Sequence, residues 1–287
     1  MEIILGKNSG FCGGVANAVK KTEQILESNN KVYCLGELVH NKQILEKLEK
    51  KGLVTIENIK EAEKGSIVII RAHGEQPITY EIAKQRNINL IDLTCQKVEK
   101  IHKIAENNKD KFIFLIAVKG HPETIGTFGF CGENSSIIQT EEDINLSIEK
   151  LKKSELKKVL IIAQTTFSVE KFELLVQKIK ETIPDGTEIE INKTICDATK
   201  IRQEETEEIS KKVDGTIIIG GKNSSNTQKL YEISIQNCKK VFFIQTKEDL
   251  NLADLNGINK LGIMAGVSTQ PYIIEEVIEY IKKDSKN

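Results

Sequence analysis

One arrangement of residues occurs three times along this chain. In each copy a cysteine stands before a helix-like run, and a histidine or a serine follows it 26 or 28 residues later. The three pairs are Cys12 and His40, Cys95 and His121, and Cys196 and Ser224. The next polar residues are His73, 33 residues after His40, and Thr165 and Ser268, 44 residues after His121 and Ser224. This spacing predicts three copies of one module, each contributing one thiol and two polar groups to a shared site.

Short β-branched runs alternate with longer amphipathic stretches along almost the whole chain. The runs that resemble strands are 31–35, 66–71, 89–93, 112–118, 136–139, 159–163, 188–192, 216–219, 241–244 and 261–264. Several are nearly continuous Ile, Val and Leu, as in parallel strands covered on both faces. Lys171–Ile183 and Ile273–Ile281 repeat apolar residues at helical spacing. The pattern predicts an α/β fold.

The length of the chain favours more than one compact unit. A chain of 287 residues exceeds the usual size of a single hydrophobic core. From the positions of the repeated cysteines, we expect a first module at 1–95, a second at 96–195 and a third at 196–269. We expect the C-terminal segment 270–287 to pack back on the first module.

Composition excludes several classes of protein. Hydrophobic residues make up 39% and charged residues 29% of the chain, which is typical of an ordinary globular protein. The net charge of −1 argues against nucleic acid as a partner, since such proteins carry a basic excess. No apolar run has the roughly 18–20 residues that a transmembrane helix needs, and no secretory leader opens the chain. We therefore expect a cytoplasmic protein with reduced cysteines and no membrane partner.

The repeated cysteines have the character of metal ligands. A helix N-terminus carries partial positive charge, which favours the thiolate that binds metals. Three thiolates around one metal centre would leave a coordination position open, as an enzyme requires. Cys34 and Cys238 have the pattern of buried packing residues. Cys131 leaves an alternative open, because 129–132 repeats the Gly-Phe-Cys-Gly order of 10–13; a fourth thiolate would close the site and indicate an electron carrier or a structural metal.

Three of the four histidines follow strand-like runs, as a binding site would require. Imidazoles that cluster in this way would bind a phosphate or a diphosphate. Neutral hydrogen-bond donors for the same oxygens come from Ser224, Ser225, Asn226 and Ser268. His102, within a helix-like stretch, is interpreted as structural or solvent-exposed. A phosphate-binding α/β protein without metal therefore remains a further alternative.

Glu123 is the best placed proton donor in the sequence. It lies two residues after His121, and enclosure beside an anionic ligand would raise its pKa towards the range of a general acid. Thr165 could relay that proton or orient a ligand hydroxyl. The common nucleotide-binding glycine motifs and the nucleophile elbow of hydrolases do not occur in the sequence.

Taken together, these segments resemble the 4-hydroxy-3-methylbut-2-enyl diphosphate reductase (IspH/LytB) family along essentially the whole chain. The motifs that carry the resemblance are Gly10-Phe11-Cys12-Gly13-Gly14, Val39-His40-Asn41, Ala72-His73-Gly74, Asp92-Leu93-Thr94-Cys95, Gly120-His121-Pro122-Glu123, Gln164-Thr165-Thr166, Thr194-Ile195-Cys196-Asp197-Ala198-Thr199 with Arg202-Gln203, Gly221-Lys222-Asn223-Ser224-Ser225-Asn226 and Ala265-Gly266-Val267-Ser268. Gln96 departs from the family, which usually has proline there.

The resemblance implies three pseudo-repeated α/β modules in a trefoil around a central iron–sulfur cluster. It implies one [4Fe-4S] cluster with three cysteine ligands, Cys12, Cys95 and Cys196, and one open iron site. The diphosphate of the substrate would be held by His40, His73, His121, Ser224, Ser225, Asn226 and Ser268. Glu123 would supply protons beside Thr165.

The activity implied is the reductive removal of the allylic hydroxyl from (E)-4-hydroxy-3-methylbut-2-enyl diphosphate. Two electrons and two protons would be consumed, with reduced ferredoxin or flavodoxin as the electron donor. The products would be isopentenyl diphosphate and dimethylallyl diphosphate, made by the non-mevalonate pathway.

Overall fold

The computed structural model describes residues 1–284, in which short strands alternate with helices. The strands are β1 (Glu2–Leu5), β2 (Val32–Leu35), β3 (Leu53–Ile56), β4 (Ile67–Ile70), β5 (Asn89–Asp92), β6 (Phe112–Ile116), β7 (Ser135–Ile138), β8 (Lys158–Ala163), β9 (Glu188–Ile191), β10 (Gly215–Ile219), β11 (Lys240–Ile244) and β12 (Lys260–Ala265). The helices are α1 (Gly13–Ser28), α2 (Lys42–Glu49), α3 (Pro77–Gln85), α4 (Gln96–Glu106), α5 (Pro122–Cys131), α6 (Glu142–Ser154), α7 (Val169–Thr182), α8 (Asp197–Ser210), α9 (Ser225–Asn237) and α10 (Pro271–Asp284). None of these helices is long and apolar enough to cross a membrane.

The strands form three parallel four-stranded sheets, which confirms the predicted α/β class. Their orders are β3-β2-β4-β5, β7-β6-β8-β9 and β11-β10-β12-β1. We call them the first, second and third sheets. In each sheet the first two strands of the repeat are adjacent, and the third strand lies between the first and the fourth. The repeat in the sequence therefore corresponds to one strand order built three times.

The fourth strand of the third sheet comes from the N-terminus of the chain. β1 pairs in parallel with β12, with Glu2 opposite Lys260 and Leu5 opposite Ile263. Helix α10 covers the same sheet, because Val277 and Ile281 lie in one buried cluster with residues of β10 and β12. Strand β1 and helix α10 thus both belong to the sheet that contains 215–265. The module boundaries expected from the sequence stay a prediction.

Most of the strands were predicted from the sequence. The central strand β6 reads Phe-Ile-Phe-Leu-Ile and is buried throughout, as a parallel strand covered on both faces should be. Ten of the strands within residues 1–284 coincide with runs identified in the sequence, to within two residues at each end. The two that were missed, β1 and β3, are four-residue edge strands.

The chain divides into two compact units. One contains residues 1–16, 39–47 and 197–284, and includes the third sheet. The other contains 17–38 and 48–196, and includes the first and second sheets.

Within the second of these units, helix α5 packs closely against the loop that precedes α3. A Cβ at Gly126 would lie 3.2 Å from the carbonyl oxygen of Gly74. A Cβ at Gly129 would lie 2.7 Å from Cβ of Gln76 and 3.0 Å from Cδ of Pro77. Gly129, the first glycine of the Gly-Phe-Cys-Gly order at 129–132, is therefore explained by a helix that leaves no room for a side chain where Gln76 and Pro77 approach it.

Gly129→Ala is expected to destabilise the protein by about 1–3 kcal/mol, the usual cost of overpacking. The added methyl would meet Cβ of Gln76, which cannot move without its backbone. The measurement is the free energy of unfolding of the metal-free protein in denaturant. Gly13→Ala is the control, because a Cβ there meets nothing within 4 Å. An equal effect of the two changes would contradict the close packing of α5.

Candidate functional site

The predicted site residues occupy equivalent places at the carboxyl ends of the strands. The first strand of each repeat ends at Leu35, Ile116 or Ile219. Five residues after these ends the chain carries His40, His121 and Ser224, respectively. The third strand of each repeat ends at Ile70, Ala163 or Ala265. Three residues after these ends the chain carries His73, Thr166 and Ser268, respectively. The counterpart of His73 and Ser268 is therefore Thr166, and Thr165 stands one residue earlier. Counting residues did not reveal this offset, because the intervening helices and loops differ in length.

The repeated cysteines also share one backbone interaction. The amide N–H of each donates to the carbonyl oxygen of the second residue after the third strand of its sheet. The three bonds run from Cys12 to Val267 (3.4 Å), from Cys95 to Ala72 (3.0 Å) and from Cys196 to Thr165 (3.0 Å). Each thiol is thus tied to the turn that carries the polar residues of its own sheet.

Exposure separates the six cysteines into two sets. Cys12, Cys95 and Cys196 are partly exposed, whereas Cys34, Cys131 and Cys238 are buried. Burial raises the pKa of the Cys34 and Cys131 thiols to about 12. The Cys131 thiol, only 1% exposed, donates to the carbonyl oxygen of Thr127 within its own helix. Cys131 therefore has the surroundings of a packing residue, and the accessible thiols are the repeated trio.

In the unit that contains the third sheet, the turn at 266–268 organises the polar residues. The hydroxyl of Ser268 donates to the carbonyl oxygen of His40 at 3.4 Å. The Asn41 amide nitrogen donates to the carbonyl oxygen of Ser268 at 3.3 Å. Gly221 passes so near the carbonyl oxygen of His40 that a Cβ there would clash with it. These contacts position His40 beside the N-terminus of α9.

Asn226 supplies a donor to this site. Its Oδ1 accepts from the backbone N–H of Val267 at 3.1 Å, which fixes the amide plane. Its Nδ2 is buried and has no hydrogen-bond partner, although the residue is only 1% exposed. Ser224 caps the same helix by accepting from the N–H of Thr227 at 3.4 Å. A buried donor that lacks a partner, at a helix N-terminus, is suited to an anionic ligand.

In the other unit, two predicted histidines meet. The rings of His73 and His121 pack edge to face, with centroids 5.4 Å apart. Nδ1 of His121 accepts from the N–H of Glu123 at 3.1 Å and so caps helix α5. This bond requires the tautomer whose hydrogen is on Nε2. Nε2–H is then the donor that His121 can offer to an anion.

Glu123 and Thr165 form a closed pair. Oε1 of Glu123 accepts from the N–H of Thr165, and Oε2 accepts from its hydroxyl, both at 2.6 Å. Burial raises the pKa of Glu123 to about 7, and the hydrogen bonds from Thr165 offset only part of that effect. The group is thus able to carry a proton near neutral pH, the property required of a general acid.

Gln164 is a residue of the site that sequence reasoning left without a role. Its Oε1 accepts from the N–H of Val118 at 2.9 Å, and its Nε2 donates to the hydroxyl of Thr166 at 2.9 Å. It thereby joins the ends of β6 and β8 just before Thr165. Its position directly after a buried strand was the available signal. His102, in contrast, is buried and stacks on Phe130, where burial lowers its pKa to about 4.

Comparison with known proteins gives one consistent result. Residues 3–282 match the family described as LytB protein. The 4-hydroxy-3-methylbut-2-enyl diphosphate reductase of Clostridioides difficile (strain 630) is 40% identical over 285 residues, which are 98% of this chain and 99% of that relative. The reductase of the same name from Caldanaerobacter subterraneus subsp. tengcongensis is 38% identical over 289 residues, 98% of this chain and 97% of the relative.

The fold is shared with a solved structure. The E-1-hydroxy-2-methyl-but-2-enyl-4-diphosphate reductase from Plasmodium falciparum superposes with a TM-score of 0.87 at 32% sequence identity. The match covers 98% of this chain and 87% of that chain.

Asn226→Asp is expected to weaken the binding of inorganic diphosphate to the metal-free protein by about 100-fold, since like charges placed together cost several kcal/mol. The new carboxylate can still accept from Val267 N–H, so the turn keeps its anchor. Isothermal calorimetry is the measurement. Asn237→Asp, at the other end of α9, is the control, because its amide bonds only within its own helix. Unchanged affinity in Asn226→Asp would remove Asn226 from the anion site.

Proposed function

This chain belongs to the LytB family, and on that premise we propose that it is an iron–sulfur reductase acting on (E)-4-hydroxy-3-methylbut-2-enyl diphosphate. Reductive loss of the allylic hydroxyl would give isopentenyl and dimethylallyl diphosphates in the non-mevalonate pathway. The observation that carries this proposal beyond the relatives is the trio of partly exposed thiols at equivalent strand ends. The remaining residues supply what the reaction needs besides electrons.

The thiols suit an iron–sulfur cluster. Thiolate sulfur is the usual protein ligand of such clusters. Cys95 is the N-cap of α4, and α1 and α8 begin directly after Cys12 and Cys196, so each of these cysteines lies at the N-terminus of a helix. When bound, a [4Fe-4S] cluster with three cysteine ligands would supply single electrons and an iron with an open coordination position.

Seven polar residues would hold the diphosphate. The residues that we assign to it are His40, His73, His121, Ser224, Ser225, Asn226 and Ser268. Support comes from the Nδ2 of Asn226, which has no protein partner, and from the Nε2–H that the capping bond leaves on His121. Fixing the diphosphate fixes the reacting carbon, which lowers the entropic part of the barrier.

Glu123 and Thr165 would deliver the proton that converts the departing hydroxyl to water. When Glu123 is protonated, its Oε2–H can donate to Oγ1 of Thr165, at the separation of 2.6 Å already present. The Thr165 hydroxyl hydrogen is then released from the carboxylate and can point to the substrate hydroxyl. The N–H of Thr165 keeps Oε1 in place while the proton moves.

The competing interpretation was an electron carrier or a structural-metal protein with a phosphate pocket. It required a fourth ligand such as Cys131, whose buried thiol bonds to its own helix. The burial of the Cys131 thiol therefore does not favour a fourth cysteine ligand. Reduced ferredoxin or flavodoxin is the electron donor that we propose, and the cytoplasmic location stays a prediction.

Replacing any one of Cys12, Cys95 and Cys196 by serine is expected to abolish the cluster. Anaerobic wild-type protein should contain about four irons and four sulfides per chain and be brown. The measurements are iron and sulfide analysis and the EPR spectrum with and without the allylic alcohol diphosphate. Cys131→Ser is the control and should retain the cluster; a colourless wild-type protein with one tightly bound zinc would refute the proposal.

Glu123→Gln is expected to lower turnover by about 100-fold or more while the substrate still binds, the usual scale for a lost general acid. In the wild type, turnover should fall by about tenfold per pH unit above the Glu123 pKa of about 7, because only the protonated carboxyl can donate. The pH profile of kcat measures both effects. Glu133→Gln, an exposed residue just after α5, is the control; near-normal turnover in Glu123→Gln would exclude this proton path.

A further inference from the structure

The three ligand cysteines differ in how far they lie from a strand. Cys95 lies three residues after β5, Cys196 five residues after β9, and Cys12 seven residues after β1. The hydrogen bond from the backbone N–H of Cys12 to its turn is also the longest of the three, at 3.4 Å against 3.0 Å for the other two. The segment 6–12 is therefore the connection that most needs support from side chains, because a longer loop has more conformational freedom to lose.

The two shorter connections hold themselves by local hydrogen bonds. Oδ1 of Asp92 accepts from the N–H and the hydroxyl of Thr94, and the hydroxyl of Tyr80 donates to its Oδ2 at 2.8 Å. The hydroxyl of Thr194 accepts from the N–H of Ala163 at 2.8 Å and donates to its carbonyl oxygen at 2.6 Å. Except for Tyr80 on α3, the residues in these bonds lie within three positions of the cysteine or at the end of the adjacent strand.

The segment 6–12 also bonds to the adjacent strand, because the Ser9 hydroxyl accepts from the N–H of Ala265 at 3.2 Å and the N–H of Gly10 donates to the carbonyl oxygen of Ala265 at 3.4 Å. In addition, it is held by an arginine that is distant in sequence. Arg202, on helix α8, is only 6% exposed. Its Nε donates to the carbonyl oxygen of Asn8, and its Nη2 donates to that of Gly10 at 2.6 Å. The guanidinium thus bonds two carbonyl groups through two nitrogens held at a fixed separation, a rigid geometry that the single ammonium of a lysine lacks.

Glu205, one helical turn further along α8, holds the other side of the same segment. Its Oε1 accepts from the N–H of Lys7 at 2.7 Å, and its Oε2 accepts from the N–H of Asn8 at 3.1 Å. The Nδ2 of Asn8 donates to the same oxygen at 3.2 Å. Residues three apart on a helix share a face. Arg202 therefore donates to carbonyl groups, and Glu205 accepts from amide groups, of the same loop.

We infer that Arg202 and Glu205 are positioning residues for the first ligand thiol, Cys12, an inference that rests on the proposed iron–sulfur function. Helix α8 begins at the residue after Cys196, so the helix that follows one ligand in the chain holds the loop that carries another. Outer groups of this kind orient ligands, and changing them usually weakens metal binding by 10- to 100-fold.

Arg202→Lys keeps the charge but loses the fork, so it tests the inference directly. In the anaerobic holoprotein it should speed the release of iron to a chelator by about tenfold or more, and alter the EPR spectrum of the reduced protein. In the metal-free protein it should speed the alkylation of Cys12 relative to Cys95, as read by peptide mass spectrometry. Glu205→Gln should act in the same direction more weakly, because it loses the charge but keeps one acceptor.

The matched controls are Arg86→Lys and Glu208→Gln. Nη2 of Arg86 donates to the carbonyl oxygens of Lys60 and Ala62, so it also bridges backbone groups, but not in a cysteine loop. Glu208 lies on α8 and pairs with Lys212 on the surface. The inference is overturned if Arg202→Lys releases iron no faster than Arg86→Lys, or if alkylation of Cys12 and Cys95 rises equally. A wild-type protein that holds no cluster would refute the proposed function. The alkylation rates would still test whether Arg202 and Glu205 position the loop of Cys12.

Discussion

The pairing of the third and fourth strands in each sheet is the interaction on which the candidate site depends. It brings the end of the fourth strand, which leads to a cysteine, beside the end of the third, which leads to a polar turn. The amide of each cysteine then bonds to that turn. Because this geometry is backbone geometry, it is repeated three times although the side chains at equivalent places range from histidine to threonine and serine.

Two polar side chains of the site, those of Glu123 and Asn226, are buried, and hydrogen bonds within the protein compensate only partly for their removal from water. Glu123 has both carboxylate oxygens bonded to Thr165, yet removal from water dominates and holds its pKa near 7. Asn226 has its acceptor satisfied and its donor left over. The Glu123 carboxyl can thus hold a proton, and the Asn226 amide can bind an anion. Burying each group in this way lowers the stability of the folded protein, and a ligand that bonds to the group would offset that loss.

Much of this could be predicted from the sequence, for reasons that differ between residues. Central strands such as β6 are unbroken apolar runs, and their ends are marked by polar and glycine-rich segments, so candidates such as His121 could be predicted from the sequence alone. The pairing of the edge strand β1 with β12 could not be predicted in the same way, because it joins residues more than 250 positions apart. Nor could spacing decide between Thr165 and Thr166, since that choice depends on where β8 ends.

The sequence by itself determined the α/β class, the threefold repeat and the chemical types of group at the strand ends, because these depend on local composition and order. Only the tertiary structure decided that Cys131 is a packing residue, that Glu123 is buried against Thr165, and that Arg202 holds the loop before Cys12. Those properties depend on which distant segments exclude water from a side chain or offer it a partner. A linear order of residues does not specify that before the chain has folded.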